Sequence, residues 1–186
     1  FVATPELGGS FHDGLKRTAT GYTAETDKHA KADILVQTHK DLLTEQIERD
    51  VGTESMVTLI TPTEFSVLLD HNKLMNVEFQ GGEGGNNFAR RRIAYLNGVR
   101  VIETPRFPRA AITDHHLGSA FNVTAEQAKA RFVLFDPTKA LVTVEAKPMT
   151  TKYWEDDREF QNVLDSYCLY TVGQRRPDAV AVGYID

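Results

Sequence analysis

The segment from 140 to 186 decides how this chain folds, and it reads ALVTVEAKPMTTKYWEDDREFQNVLDSYCLYTVGQRRPDAVAVGYID. Apolar residues recur at every fourth position of its middle part, namely Phe160, Leu164, Cys168 and Val172. That spacing fits a helix or a strand equally well. The many β-branched and aromatic residues around it favour strands, so we predict long strands in which the Cys168 thiol is buried and inert.

A break in the chain follows these strands. Gly173 and Pro177 interrupt the pattern, and a proline fixes its own φ and forces Arg176 before it into an extended conformation. The run AVAVGYI at 179–185 is short and apolar. We therefore predict a last strand that returns to the compact part of the protein.

Two groups of motifs resemble a known family. The first is YWEDDREF at 153–160 with RRPDAVAV at 175–182. The second is MVTLITPTEFSVLL at 56–69 with NGVRVIETP at 97–105. Together they cover roughly half of the chain, in an order similar to that of tailed-bacteriophage major capsid proteins, which have the Hong Kong phage-type coat fold. The short-tailed phages give the closest likeness, and the resemblance is to the C-terminal portion of the family.

The resemblance implies an α+β fold. A compact mixed sheet flanked by helices, similar to the axial domain of the family, is expected at 27–140, after an irregular connecting segment at 1–26 that holds at most a short extended stretch. Long strands like those of the peripheral domain are expected at 141–176, and the last strand at 177–186. The chain begins with Phe1, and the arm, extended loop and spine helix of the family are expected upstream of it.

The function that the resemblance implies is structural. Copies of the chain would assemble into hexamers and pentamers of an icosahedral shell around double-stranded DNA, in a virion built in the bacterial cytoplasm. Scaffolding and portal proteins are further implied partners, and neither a membrane, a cofactor nor an enzymatic activity is expected. In this interpretation the intersubunit contacts come from two charged clusters, Glu83 with Arg90, Arg91 and Arg92, and Trp154 with Glu155, Asp156, Asp157 and Arg158.

Composition is consistent with a globular protein and excludes several other classes. Charged residues make up 25% and hydrophobic residues 41% of the 186 positions, and the net charge is −5. An acidic chain is a poor candidate for a general nucleic-acid binder, which needs a basic surface. The single cysteine excludes an internal disulfide framework, and no apolar run approaches the roughly 20 residues that span a bilayer.

Local signals predict several elements. An amphipathic helix is predicted from about 27 to 50, with Thr26 as N-cap, Gly52 after its end and a buried face of Leu35, Val36, Leu42, Leu43 and Ile47. A buried strand at 56–60 precedes the sequence TPTE at 61–64, which is a capping box with proline at the first helical position. Thr124 and Gln127 form a second capping box, for a helix to about 130 before a strand at 131–135.

The run IAYLNGVRVIE at 93–103 is the clearest local signal. Asn97 and Gly98 join two strand-like runs, and this dipeptide accepts positive φ at both turn positions of a tight hairpin. By contrast, the glycine-rich GGEGGNNFARRR at 81–92 lacks the spacing of a phosphate-binding loop, so we interpret it as a flexible loop whose arginines face solvent or a neighbouring subunit.

No catalytic motif is present in the sequence. His115 and His116 follow Asp114, but adjacent histidines on an extended segment point in opposite directions and rarely share a metal ion. Three alternatives to a viral shell remain open. They are an encapsulin-type nanocompartment shell, a small hydrolase with a pocket around Asp114, His115 and His116, and a decoration or scaffolding module.

Overall fold

The computed structural model describes residues 14–52, 54–71, 93, 95–116, 118–156, 158 and 161–186. In that part of the chain, eight strands form two sheets. They are β1 (Leu15–Ala19), β2 (Val57–Ile60), β3 (Tyr95–Leu96), β4 (Val99–Glu103), β5 (Ala130–Phe135), β6 (Leu141–Asp156), β7 (Gln161–Gln174) and β8 (Val180–Ile185). The α-helices are α1 (Lys28–Glu48), α2 (Pro62–Leu68) and α3 (Pro137–Ala140), and one-turn 3₁₀ helices lie at Ser119–Phe121, Gln127–Lys129 and Pro177–Ala179.

The larger sheet is mixed and has the order β1-β8-β5-β2-β4-β3. β1 pairs with β8 and β2 with β4 in parallel, whereas the other neighbours are antiparallel. The second sheet consists of β6 and β7 alone. The α+β prediction, with a compact mixed sheet and separate long strands, is confirmed.

The strands at the centre of the larger sheet are largely buried. β5 (ARFVLF) is buried at every position except Arg131, which is half-buried, and the first four residues of β8 are buried as well. Continuous apolar runs of this kind are typical of strands covered on both faces. α1 packs against β1 and β8 and also contacts α2, so helices cover part of this apolar surface.

Gly183 on β8 permits one close contact in this core. It pairs directly with Phe132 on β5, and a Cβ atom at this position would lie 2.2 Å from two atoms of the Phe132 ring. No side chain larger than hydrogen fits there unless the ring moves. The glycine therefore lets the aromatic ring lie over the neighbouring strand.

α1 forms as predicted, but its ends and its buried face differ. Asp27, and not Thr26, is the N-cap, since its Oδ1 accepts a hydrogen bond from the His29 backbone N–H at 3.2 Å. At the other end the left-handed residue is Asp50, with φ of 59°, and not Gly52. Ile47 is 51% exposed, so its assignment to the buried face was wrong. Val36 is only half-buried, and the polar residues Thr38, His39 and Gln46 are buried instead.

α2 begins at Pro62 after Thr61, as predicted. The capping box at this end is altered, because the Thr61 hydroxyl donates to the Glu64 carboxylate and makes no bond to a backbone N–H. At 124–127 the reciprocal capping bonds are both present, from Thr124 N to Gln127 Oε1 at 2.8 Å and from Gln127 N to Thr124 Oγ1 at 3.3 Å. They precede a single 3₁₀ turn and not a longer helix, because β5 already begins at Ala130.

The Asn-Gly hairpin is confirmed. β3 and β4 are antiparallel neighbours, and Asn97 and Gly98 have φ of 50° and 81°. The Asn97 side chain also reaches His39 on α1, where its Nδ2 lies 3.1 Å from Nδ1 of the imidazole. The turn is therefore fixed both by its own backbone preference and by a contact with the helix.

β1 lies in the segment that we interpreted as irregular. Its five residues form the edge of the larger sheet, next to the last strand of the chain. The turn after β1 is held by the same strand, because the Asp186 carboxylate accepts bonds from Gly21 N at 2.6 Å and Thr23 N at 2.9 Å. These backbone bonds lower the pKa of Asp186.

Candidate subunit interface

The β6–β7 ribbon, defined as Leu141–Asp156 and Gln161–Gln174, is the part of the structure that is least covered by the rest of the chain. Among the described residues no other strand pairs with it. Fourteen residues of extended chain span about 45 Å, so its tip is far from the larger sheet. A two-stranded ribbon of this kind is at best marginally stable in water without further packing.

Both faces of the ribbon carry exposed apolar side chains. The register places Tyr153 opposite Leu164 on one face and Trp154 opposite Val163 on the other. The large hydrophobic residues of the ribbon that are exposed are Val142, Val144, Met149, Tyr153, Trp154, Leu164, Leu169, Tyr170 and Val172. The apolar face predicted from the sequence is not covered in the described structure, where Leu164, Cys168 and Val172 are all exposed.

Three aromatic residues of the ribbon show how much apolar surface it exposes. Tyr153, Trp154 and Tyr170 are 62%, 45% and 64% exposed. Burial of one such side chain removes about 150–250 Å² from water, so these three leave roughly 300 Å² accessible. At about 25 cal/mol per Å², covering them contributes about 7 kcal/mol before the costs of association. This area is divided between the two faces of the ribbon, since the side chains of Tyr153 and Trp154 lie on opposite sides.

The polar contacts within the ribbon are local. Thr151 Oγ1 lies 3.1 Å from Ser166 Oγ across the strands, and the Tyr153 hydroxyl donates to Asn162 Oδ1 at 2.9 Å. The Lys147 ammonium lies 4.2 Å from the centre of the Tyr167 ring. These contacts fix cross-strand register and leave the apolar side chains available to a partner.

The root of the ribbon is held firmly to the larger sheet. Arg176 forms a bidentate pair with Asp178, from Nε to Oδ1 at 3.1 Å and from Nη2 to Oδ2 at 2.6 Å. The hydrogen bond to Asp178 raises the pKa of Arg176. The Arg175 N–H also donates to Ala140 O at 2.8 Å, and Pro177 beside it is fully buried. The RRPDA motif thus sets the point where the ribbon leaves the compact part of the protein.

The two charged clusters predicted as contacts are only partly described. Trp154 and Glu155 lie near the tip of the ribbon and Arg158 just beyond it, and all three are exposed. Asp156 ends β6, but its side chain lies outside the description. Glu83, Arg90, Arg91, Arg92 and Asp157 also lie outside the described residues. Whether any of these residues meets a neighbouring subunit stays a prediction.

The structure brings together a buried polar cluster that the sequence did not reveal. Glu64 is 3% exposed, and its carboxylate contacts the Thr61 hydroxyl and lies 3.5 Å from Arg131 Nε. Burial raises the pKa of Glu64. Burial, and then the nearby Glu64 charge, raise the pKa of Tyr22 to about 12. The TPTE motif predicted Glu64 only as a capping residue, and nothing in the sequence indicated that Arg131 would lie beside it.

A second buried polar residue is His39 on α1. Its Nε2 lies 2.9 Å from Thr58 Oγ1 and its ring packs 5.9 Å from the Phe132 ring, measured between centroids. The Asn97 amide donates to Nδ1, so the imidazole is neutral, with its hydrogen on Nε2. Burial lowers the pKa of His39 to about 4. This network ties α1, β2 and the hairpin turn together.

The other candidate chemical groups are exposed or dispersed. His115 and His116 stack with ring centroids 4.5 Å apart, because the chain turns there and is not extended as we expected. Within the described ranges, no group of three or more His, Cys, Asp and Glu side chains could hold a metal ion. Cys168 is exposed, so the expectation of a buried thiol was wrong. None of the helices in the described part is long and apolar enough to cross a membrane.

Comparison with known proteins identifies the fold. No protein-family profile and no curated protein matches the sequence. Among solved structures, the mature capsid of bacteriophage PhiM1 is similar over 100% of this chain and 56% of its own, with 38% identity and a TM-score of 0.74. The capsid of cyanophage P-SCSP1u has 16% identity over 100% of this chain and 58% of its own, with a TM-score of 0.69.

A third solved structure, from Mycobacterium phage Che8, has 18% identity over 92% of this chain and 53% of its own, with a TM-score of 0.55. The cyanophage and mycobacteriophage structures show a shared fold, and the PhiM1 capsid adds similarity of sequence. The chain spans a little more than half of the length of each of these relatives.

Proposed function

We propose, from the premise that this chain is part of a bacteriophage capsid protein, that it forms the shell of an icosahedral virion. In this proposal, copies of the protein assemble into hexamers and pentamers that enclose double-stranded DNA without reading its sequence. Assembly takes place in the bacterial cytoplasm, and scaffolding and portal proteins take part in it. The protein has a structural role and no catalytic one.

The exposed ribbon supports this proposal most directly. Apolar side chains on both of its faces need a covering surface, and in a shell each subunit offers such surfaces to the next. Contacts of this kind join different patches of identical subunits, and they close into rings when the rotation between subunits permits it. The predicted contact residues Trp154, Glu155 and Arg158 lie at the tip, where a ribbon of this length reaches furthest from its own body.

The experiment is assembly of the complete capsid protein, followed by sedimentation and electron microscopy. We compare Leu164→Asp on the ribbon with Ile47→Asp on α1, because both side chains are apolar and largely exposed, at 69% and 51%. The ribbon variant should abolish closed particles or raise the protein concentration that they require. The α1 variant should assemble as the unchanged protein does. If both variants form normal shells, the ribbon is not an assembly surface.

The alternatives predict different results. An encapsulin-type shell would enclose protein and not DNA, so the content of purified particles separates it from a virion. The 38% identity to a phage capsid favours the virion. A small hydrolase would need a pocket around Asp114, His115 and His116, which line neither the cavity beside Lys16 and Tyr184 nor the one beside Glu64 and Arg131. A decoration module would remain unassembled as the complete protein.

A further inference from the structure

A cavity of about 230 Å³ opens at the end of the larger sheet where β5 begins and β8 ends. This end is opposite to the one from which the ribbon departs. The residues that line the cavity are Thr61, Thr63, Glu64, Phe107, Arg109, Arg131 and Ile185. Glu64 is buried, Arg131 is half-buried and Arg109 is exposed, so two arginines share an opening with a single carboxylate.

The guanidinium groups of Arg131 and Arg109 each have N–H donors that make no hydrogen bond to the described residues. Arg131 Nη1 donates to Ala128 O at 2.8 Å and Ala130 O at 3.0 Å, and its Nε faces Glu64. These bonds fix the guanidinium plane, while Nη2 makes no hydrogen bond in the part of the chain that the structure describes. Arg109 likewise has no ion-pair partner among the described residues. A planar carboxylate accepts two parallel N–H bonds from such groups.

The charge balance of the cavity favours an anion. Glu64 is the carboxylate in the lining, and the positive charges that act on it are Arg131, Arg109 and the nearby Lys31. Burial raises the pKa of Glu64, and the three cations act in the opposite direction. The chain as a whole has 26 acidic and 21 basic residues. Another copy of the chain therefore carries more carboxylates than cationic side chains that can approach this opening.

We propose that the cavity receives a carboxylate side chain from a neighbouring copy of this chain, which Arg109 and Arg131 bind together. The proposal rests on the proposed shell function, since it needs neighbouring copies. A cavity of this volume accommodates the end of an aspartate or glutamate side chain but not a folded element. Glu64 then acts as the residue that orients Arg131, and Arg109 acts as the exposed group that captures the incoming carboxylate.

The test uses the complete capsid protein and measures the concentration at which half of it assembles. Arg109→Glu should raise that concentration about tenfold or more, as expected when a charge-assisted bond is lost and a repulsion gained. Arg109→Lys keeps the charge but not the planar fork, so it should have a smaller effect. Arg106→Glu is the matched control, because it lies in the same loop, is exposed and does not line the cavity. It should change the concentration by no more than about twofold.

Thermal unfolding of the unassembled variants serves as a folding check, and Arg109→Glu should melt like the unchanged protein because the side chain is exposed. If Arg109→Glu assembles like Arg106→Glu, the carboxylate contact is wrong while the shell function stands. If Arg109→Glu assembles normally but particles lose DNA, the anion is a nucleic-acid phosphate and the proposal is also wrong. Failure of the unchanged protein to assemble contradicts the shell function itself.

Discussion

Replacement of Gly183 by alanine tests the packing of the larger sheet at a single methyl group. A Cβ atom there would lie 2.2 Å from Cε1 and Cζ of Phe132 and 2.7 Å from Cε2. Ordinary contact begins near 3.4 Å, so the ring must retreat by about 1.2 Å. Phe132 is 2% exposed and also packs against His39, so little free space receives it.

We expect Gly183→Ala to lower the free energy of unfolding by about 1–3 kcal/mol, the usual cost of overpacking a core. The gain from restricting the unfolded chain, about 0.4–1 kcal/mol, offsets only part of this. Urea-induced unfolding of the unassembled protein, followed by circular dichroism, measures the difference. A Phe132→Leu background removes the ring, so there the same glycine substitution should cost less than about 0.5 kcal/mol.

Gly173→Ala on β7 is the matched control. Its added Cβ would meet Val142 Cγ1 at 3.8 Å, which is an ordinary contact. It should therefore change stability by no more than about 0.5 kcal/mol. If Gly183→Ala is as harmless as this control, or if its cost persists unchanged when Phe132 is leucine, the contact with the Phe132 ring does not cause the loss of stability.

Three further predictions concern polar groups. Because the pKa of Glu64 is raised by burial, the folded state binds this proton more readily than the unfolded state, and stability falls as pH rises from 4.5 through the folded pKa. Glu64→Gln should remove that fall and remain within about 1 kcal/mol of the unchanged protein at pH 7, since Arg131 keeps its carbonyl bonds. Urea unfolding at several pH values measures this, and a fall that persists in Glu64→Gln would contradict it. The pKa of His39 is lowered to about 4, so stability present above pH 6.5 is lost as pH falls towards 4, by about 3 kcal/mol at most. His39→Gln should reduce this loss, measured by urea unfolding at pH 7.5 and pH 4.5, and a loss as large as that of the unchanged protein would contradict the prediction. Asn97→Ala should cost about 1–2 kcal/mol, because alanine tolerates φ of 50° poorly and the His39 contact disappears; urea unfolding that shows no loss would contradict both causes.

Local signals in the sequence predicted the elements that depend on neighbours in the chain. Asn97-Gly98 determines its hairpin because the two residues accept positive φ, and Thr61-Pro62 starts α2 because proline is suited to the first turn. The β-branched residues of 161–174 predicted a strand correctly where periodicity was ambiguous. In each case the physical cause lies within a few residues.

Features that depend on distant partners could not be predicted in this way. β1 has only Leu15 and Ala19 as apolar residues, and it becomes a strand because β8, more than 160 residues later, pairs with it. Thr26 and Asp27 are both good N-caps, so only the structure distinguishes them. The β-branched and aromatic residues of β7 correctly indicated a strand, but they gave no information on whether the surface that covers this strand belongs to the same chain. Cys168 is exposed because the described part of the chain does not cover this strand.

The candidate site shows the same limit. The charged residues at the ribbon tip could be identified from the sequence because they resemble a family motif, although their contacts stay predictions. The cavity beside Glu64 and Arg131 could not be identified from the sequence. These two residues are 67 positions apart, and only the folding of the sheet brings them together. A glutamate in a capping motif and an arginine in a strand are each ordinary features when considered separately.

The most direct test of the shell function is cryo-electron microscopy of the particles formed by the complete protein. We predict closed icosahedral shells of hexamers and pentamers, in which residues of neighbouring subunits bury the exposed aromatic side chains of the ribbon, Tyr153, Trp154 and Tyr170. Shells in which these side chains face solvent, or a complete protein that remains monomeric, would contradict it.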